Sequence, residues 1–234
     1  MTDDSMAALY PFLYSGSTDL DAVMTSVRQS TVEKVDEIVT LRREVLERDG
    51  ERIAACAEAM AKAFAAGARL FAFGNGGSST DAQDVATLFM NPGGTARPLP
   101  AFALTADIAV VTALANDIGF EVVFARQLAA SAFAGDIALG LSTSGNSRNL
   151  IAAFEEAERR GMLTVGLAGY GGGQMAELGT IDHLFVVPSA SVHRIQEAQT
   201  TVYHALWELT QQALTRMEAG DSDDGAGTAA AGGV

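Results

Sequence analysis

Two loops rich in glycine and hydroxyl side chains hold the residues best suited to chemistry. Residues 74–81 read GNGGSSTD, where the glycines Gly76 and Gly77 let the backbone approach a ligand closely and Ser78 and Asp81 can cap the helix that follows. The spacing matches neither the dinucleotide-binding fingerprint nor a Walker A loop. Taken alone, this loop fits a plain strand-to-helix turn and a ligand loop equally well.

The second loop, residues 142–147, reads STSGNS and precedes the helical segment RNLIAAFEEAERRG. Unpaired amides and the helix dipole favour an anion at such a position, and hydroxyls donate to phosphate oxygens without adding charge. A helix cap without a ligand would need only one hydroxyl. The four present therefore predict a phosphate-binding loop: Ser142, Thr143, Ser144 and Ser147.

Short apolar runs that alternate with helical patterns must position these loops. Strands are predicted over residues 69–73, 100–104, 136–141, 163–168 and 184–187, with helices over 79–90, 108–115, 120–132, 147–160, 174–178 and 192–216. The alternation predicts an α/β fold with a five-stranded parallel sheet and helices on both faces. Ligands bind such sheets at the carboxyl ends of the strands, where both loops fall.

The chain as a whole is predicted to be one domain with two appended ends. Residues 1–18 form an N-terminal extension, residues 19–217 a single domain that begins with helices over 19–66, broken at Gly50, and residues 218–234 a disordered acidic tail. No signal peptide or membrane span is recognisable.

The composition of the chain limits the kinds of partner that it can be expected to bind. The formal net charge is −14 and the sequence pI is about 4.5, which disfavours a broad nucleic-acid or anionic-membrane surface. Cys56 is the single cysteine, so no intrachain disulfide can form, which suits a reducing cytoplasm. Cys56 itself is expected to be a small buried residue.

Four segments, in this order and spacing, resemble the SIS (sugar isomerase) domain family and, more narrowly, its phosphoheptose isomerase branch: GNGGSSTDAQD, ALANDIGFEVVFARQL, GDIALGLSTSGNSRNLIAAFEEAERRGM and HRIQEAQTTVYHAL. The resemblance covers about residues 20–215 and implies a flavodoxin-like three-layer sandwich. It also implies interconversion of sedoheptulose 7-phosphate and a heptose 7-phosphate by proton transfer through an enediol.

The resemblance implies roles for individual positions. Asn75, Gly76, Gly77 and Ser78 would bind the ligand, and residues 142–147 its phosphate. Asp117 would lie near the sugar, and Gln196 and His204 would be catalytic or metal-binding. These last two lie about 12 Å apart along one straight helix, so they cannot both contact one metal ion. The resemblance implies that neighbouring subunits of a tetramer complete the site.

Two departures from the family pattern concern catalysis. Asp84 stands where the resembling enzymes have a zinc-binding His, and Leu88 stands where they have the Glu that moves the proton. Leucine accepts no proton. Asp81, Asp84, Asp117, Glu197 or a neighbouring subunit would have to replace it. Tyr203 and Trp207 are expected to be packing residues, and the role of His193 is open.

Three hypotheses therefore remain open from the sequence: an active ketose/aldose phosphosugar isomerase, a non-catalytic phosphosugar-binding or adaptor protein with a protein partner, and a structural oligomer with vestigial loops. The N-terminal helical segment and the long C-terminal helix have more apolar residues than one sheet face can cover, which predicts a homo-oligomer, with a tetramer expected. Asp84, Gln196 and His204 could bind a metal, but the missing Glu removes a ligand and a charge. We therefore expect no tightly bound cofactor and a protein that purifies largely without zinc.

Overall fold

The computed structural model describes residues 20–227, with side chains from residue 21 to residue 219. The predicted extension over 1–18 and the last residues of the predicted tail, 228–234, lie outside them. The chain divides into two compact units, residues 1–40 and 41–234. No helix in the described part is long and apolar enough to cross a membrane.

Seven α-helices, one 3-10 helix and five strands make up the described residues. In chain order they are α1 (Leu20–Ala65), β1 (Leu70–Gly74), α2 (Gly77–Met90), β2 (Ala101–Ala103), α3 (Ile108–Asp117), the 3-10 helix (Phe120–Val122), α4 (Val123–Ser131), β3 (Ile137–Leu141), α5 (Arg148–Arg159), β4 (Leu163–Gly169), α6 (Gly173–Glu177), β5 (His183–Val187) and α7 (Val192–Gly227).

The five strands form one parallel sheet in the order β2-β1-β3-β4-β5. Leu70 pairs with Ile137, and Ile137 pairs with Leu163, so the central strands run in register. β1 and β3 are buried along their whole length, as parallel strands covered on both faces must be. The predicted fold class is thus confirmed, and the strand order is the flavodoxin-like one.

Aromatic packing on one face of the sheet requires a glycine in β3. The rings of Phe124 and Phe154 lie 5.5 and 5.4 Å, centre to centre, from that of Phe73. A Cβ at Gly140 would stand 2.6 Å from the Phe154 ring and 2.7 Å from the Phe73 ring. The absence of a side chain at Gly140 therefore lets the two rings close over the strand.

Three element boundaries differ from the prediction. α1 continues through Gly50, where a break was predicted, because the neighbouring Asp49 is buried and ion-paired to Arg48 and Arg52. These tertiary contacts outweigh the weak helix propensity of one glycine. The predicted helix over 120–132 divides into the 3-10 helix and α4. α7 extends to Gly227, past the predicted end at 216, so residues 218–227 of the predicted disordered tail are helical.

In the first unit, α1 leaves its apolar positions uncovered. None of residues 21–40 is buried, and their large apolar side chains are exposed: Val23, Met24, Val27, Val32, Val35 and Val39. The predicted apolar stripe therefore exists, but nothing in the described unit covers it. A contiguous exposed apolar face of this kind is typical of a surface that meets another chain.

Candidate active site

The sheet order places both loops at one crevice. β1 and β3 are neighbours, and the chain leaves them toward β2 on one side and β4 on the other. This reversal of strand order is the topological switch point, outside which α/β sheets of this kind bind their ligands. Residues 74–78 follow β1 and residues 142–147 follow β3, so the sheet itself brings the two loops together.

In the first loop, a pair of side-chain amides ties the two loops. Asn75 Nδ2 donates to Asn149 Oδ1 and Asn149 Nδ2 donates to Asn75 Oδ1, both at 2.9 Å. Asn149 is buried in the first turn of α5, directly after the second loop. Gly76 adopts φ +56°, which favours glycine, and Ser78 is buried.

In the second loop, the hydroxyls have different partners. Ser142 Oγ accepts from the Gly145 amide at 3.0 Å, and Ser144 Oγ accepts from the Asn146 amide at 3.2 Å. Ser147 stands at the N-cap of α5, but its side chain makes no hydrogen bond to the helix amides. The hydroxyls of Ser142 and Ser144 thus shape the loop, whereas that of Ser147 has no capping role.

Close backbone packing fixes the second loop from behind. Gly145 has φ +67°, and a Cβ there would collide with the Gly172 carbonyl oxygen. Asn146 Oδ1 accepts from the Gln174 amide at 2.9 Å, and the Met175 amide donates to the Gly145 carbonyl at 3.0 Å. The glycine-rich turn after β4 therefore supports the loop.

The first turns of α7 lie against both loops. Gln199 is fully buried, and its Nε2 donates to the Ser142 carbonyl at 3.0 Å. A Cβ on Gly77 would collide with the Gln196 side-chain amide. Gln199 was missed by sequence reasoning, although a signal existed: it is a polar residue within the buried apolar stripe of Ile195, Ala198 and Val202.

Further along, α7 meets α2 through a polar contact that the sequence did not suggest. Tyr203 Oη donates to Asp84 Oδ2 at 2.7 Å, and His204 Nε2 lies 3.8 Å from the same oxygen. Tyr203 is buried as expected of a packing residue, but its hydroxyl also holds a site carboxylate. Burial, together with the carboxylate of Asp84, raises the pKa of Tyr203, so it remains a donor.

Asp81, one turn before Asp84 on α2, is the most perturbed carboxyl of the site. Its Oδ2 is buried without a hydrogen-bond partner. Burial raises the pKa of Asp81 to about 6, and the nearby charge of Asp84 adds to the shift. A carboxyl with this pKa exchanges protons near neutral pH.

The remaining candidates lie outside this cluster. Asp117 ends α3, is exposed and accepts from the Asn116 side chain at 2.8 Å. The 3-10 helix that follows is linked to the start of α5 by the Glu121–Arg148 ion pair, at 2.8 Å. Glu197 pairs with Arg194 at 2.6 Å, and His193 is exposed in the first turn of α7.

Two further residues, His183 and Cys56, lie in surroundings that fit a structural role. His183 begins β5, and burial lowers its pKa despite the neighbouring Asp182. Cys56 is fully buried, as expected, and burial raises the pKa of its thiol to about 12, which leaves it unreactive.

Within the described part of a single chain, the residues proposed to bind metal do not form a zinc site. Asp84 Oδ2 already accepts the Tyr203 hydrogen bond. The Gln196 side chain lies against Gly77, which is two turns before Asp84 on α2, and Leu88 offers no ligand atom. Within residues 20–227, no three His, Cys, Asp or Glu side chains gather around a common point. Structural and catalytic zinc sites use at least three protein ligands, so this donor set does not fit the ion.

The fold and the loops together define an α/β protein with a hydroxyl-rich loop suited to an anion at the switch point of its sheet. The sequence matches the SIS domain family over residues 35–169, which include both loops. It is 41% identical to a phosphoheptose isomerase of Nitratidesulfovibrio vulgaris over 190 residues, which are 81% of this chain and 90% of that protein. It is 48% identical to one of Desulfovibrio desulfuricans over 165 residues, which are 70% of this chain and 74% of that protein.

Solved structures agree. The phosphoheptose isomerase of Neisseria gonorrhoeae superposes with a TM-score of 0.73 at 34% identity, covering 80% of this chain and 99% of that one. That of Francisella tularensis gives 0.71 at 32% identity, covering 84% and 100%. The chain therefore belongs to the SIS domain family and, within it, to the phosphoheptose isomerase branch.

Proposed function

We propose that this protein is a ketose/aldose isomerase that acts on a seven-carbon sugar phosphate. The observation that carries the proposal is the position of α7. Its Gln199 holds the Ser142 carbonyl and its Gln196 lies against Gly77, so one helix brings amide side chains to both loops. Further along, the same helix brings the His204 imidazole beside Asp84 of α2. A phosphate bound at residues 142–147 would place the attached sugar beside that helix.

The proposed phosphate binding relies on hydrogen-bond donors that carry no charge. The loop precedes α5, whose first amides and dipole favour an anion, and its hydroxyls add donors without charge. This arrangement explains how a chain with a formal net charge of −14 can hold a phosphate. Arg148, the cation nearest the loop in sequence, is ion-paired to Glu121.

Isomerisation moves one proton between two neighbouring carbons. A base takes the proton from C1 of the ketose while O2 is protonated, giving an enediol; the proton then returns to C2 as the O1 proton leaves. His204 and the carboxyl groups of α2 are the described groups able to exchange protons there. The relatives are phosphoheptose isomerases, which makes sedoheptulose 7-phosphate the substrate to test.

A direct assay tests this function. The full chain is incubated with sedoheptulose 7-phosphate and the products are separated by chromatography. We expect an aldose phosphate to form, and a variant with Ser144→Ala and Ser147→Ala to bind sugar phosphate more weakly by about 1–3 kcal/mol. Wild-type protein that binds the sugar phosphate in calorimetry but never forms the aldose would contradict the proposal.

The proposed enzyme works without a tightly bound zinc ion, because its donor set is short of ligands. The protein is expected to purify with far less than one zinc per chain and to keep its melting temperature after dialysis against a chelator. Stoichiometric zinc in elemental analysis, lost in the His204→Ala variant, would contradict this.

The setting that best fits this enzyme is the cytoplasm, and the assembly that best fits it is a homotetramer. The single cysteine suits a reducing compartment. The exposed apolar side chains of α1 and α3 give the chain surfaces that a second copy could cover. No nucleic-acid or membrane partner is part of the proposal.

A further inference from the structure

We propose that Asp84 and His204 act as a carboxylate–imidazole pair in the proton transfer, and that Tyr203 is the positioning residue that holds Asp84. The inference rests on the proposed isomerase function. It gives a catalytic role to Asp84, one of the two positions at which the sequence departs from the pattern of the enzymes it resembles.

One carboxylate oxygen serves both aromatic residues. Asp84 Oδ2 accepts from Tyr203 Oη at 2.7 Å and lies 3.8 Å from His204 Nε2. The two rings are consecutive on α7 and stack at 5.2 Å between centres, with 28° between planes. The Asp84 carboxylate is therefore presented to His204 by the hydrogen bond from Tyr203.

Burial separates the positioning residue from the reacting ones. Tyr203 is 1% exposed, whereas the side chains of Asp84 and His204 are 54% and 45% exposed. A buried ring holds its hydroxyl in one place, since few rotamers fit a packed interior. The carboxylate and the imidazole therefore remain accessible to a ligand.

The pair has a role that the hydrocarbon at Leu88 cannot fill. A carboxylate beside an imidazole orients the ring and stabilises the imidazolium that forms when the ring takes a proton. The imidazole accepts the proton from C1 and returns it to C2, while the Asp84 carboxylate orients the ring. The present 3.8 Å separation exceeds a hydrogen bond, and such distances commonly shorten when substrate binds.

Asp81 is the other titratable group that acts on this cluster. Its carboxyl lies on α2 close enough to Asp84 and Tyr203 to interact electrostatically with both. Its buried Oδ2 has no partner, so it does not compete for the Tyr203 hydroxyl. The test must therefore change Tyr203 and Asp84 while leaving Asp81 intact.

The first measurement reads the imidazole directly. The chain has three histidines, so ¹⁵N-histidine labelling of the full protein gives few signals, and His204→Gln identifies that of residue 204. We expect Asp84→Asn and Tyr203→Phe to shift the ring-nitrogen signals of His204. The control is Thr215→Ala, which removes an exposed α7 hydroxyl bonded to its own helix and should shift nothing.

The second measurement is steady-state isomerisation of sedoheptulose 7-phosphate. Asp84→Asn should lower kcat by about 10²- to 10³-fold and Tyr203→Phe by about tenfold, with KM changed less than about twofold, because the pair acts on proton transfer. Asp84→Glu should recover part of the kcat lost in Asp84→Asn. Thr215→Ala should match the wild type.

The outcomes separate this inference from the function on which it rests. If Asp84→Asn leaves the ring-nitrogen signals of His204 unchanged, the proposed pair is wrong whether or not the protein is active. If the wild type is active and Asp84→Asn leaves kcat unchanged, the proposed pair is wrong and the isomerase function stands. A wild type that binds sugar phosphate without isomerising it overturns both.

Discussion

The four hydroxyls of the second loop are not equivalent. Ser142 Oγ accepts the Gly145 amide within the loop, whereas the Ser147 side chain makes no bond to the helix it begins. Ser147→Ala should therefore weaken sugar phosphate binding about five- to tenfold without changing the melting temperature. Ser142→Ala should in addition lower stability by about 1 kcal/mol. Calorimetry and thermal unfolding of both variants test this, and equal melting temperatures for the two would contradict it.

The pKa of Asp81 makes stability depend on pH in a defined direction. It is raised to about 6, so the native state binds more protons than the unfolded chain between pH about 4 and 6. The stabilising contribution is present below this window and is lost as pH rises through it. Asp81→Asn, which never ionises, should gain melting temperature over wild type at pH 8 and little at pH 4. Exposed Glu208→Gln is the control, and an equal gain at both pH values would refute the assignment.

Residue types and their order predicted which loop could bind a phosphate. They did not predict which hydroxyls shape the loop and which make no bond to the helix that follows. That difference depends on a Gly145 amide that only the folded loop turns toward Ser142. The contact of Tyr203 with Asp84 was likewise hidden, because it joins residues 119 positions apart in sequence. The polar Gln199 could have been noticed within its apolar stripe.

At the scale of elements, a buried carboxylate links α1 to the edge strand β5. Asp49 pairs with Arg48 at 2.6 Å and Arg52 at 2.5 Å, and these arginines donate to the carbonyls of Val186 and Leu184. Asp49→Asn should cost about 2 kcal/mol of unfolding free energy, because hydrogen bonds to a buried charge are lost. Denaturant unfolding measures it against Glu47→Gln, an exposed neighbour; equal stabilities would show that the cluster contributes nothing.

The strands were predictable because each is a short apolar run, and the three central ones, β1, β3 and β4, are buried along almost their whole length. The structure confirms all five strands within a residue or two. The continuity of α1 was not, since it depends on the partners of Asp49 and not on the local propensity of Gly50. The pairing order β2-β1-β3-β4-β5 came only with the family resemblance, because run lengths do not encode which strands are neighbours.

At the scale of the whole molecule, the uncovered apolar side chains predict self-association. α3 has no buried residue among its ten, and apolar side chains on it and just beyond it are exposed: Ile108, Val110, Ile118 and Phe120. Light scattering at micromolar concentration should give about four times the mass of 24.3 kDa. Replacing Ile108 and Phe120 by Asp should lower that mass, and a monomeric wild type would contradict the proposed assembly.

This chain is expected to isomerise a sugar phosphate although Leu88 stands where the enzymes it resembles have their base. The most direct test incubates the full protein with sedoheptulose 7-phosphate in deuterated water and follows the carbon next to the carbonyl by NMR. We expect deuterium to enter that carbon of the sugar with the wild-type protein and His204→Gln to abolish the exchange. Bound sugar phosphate that never exchanges its proton would contradict it.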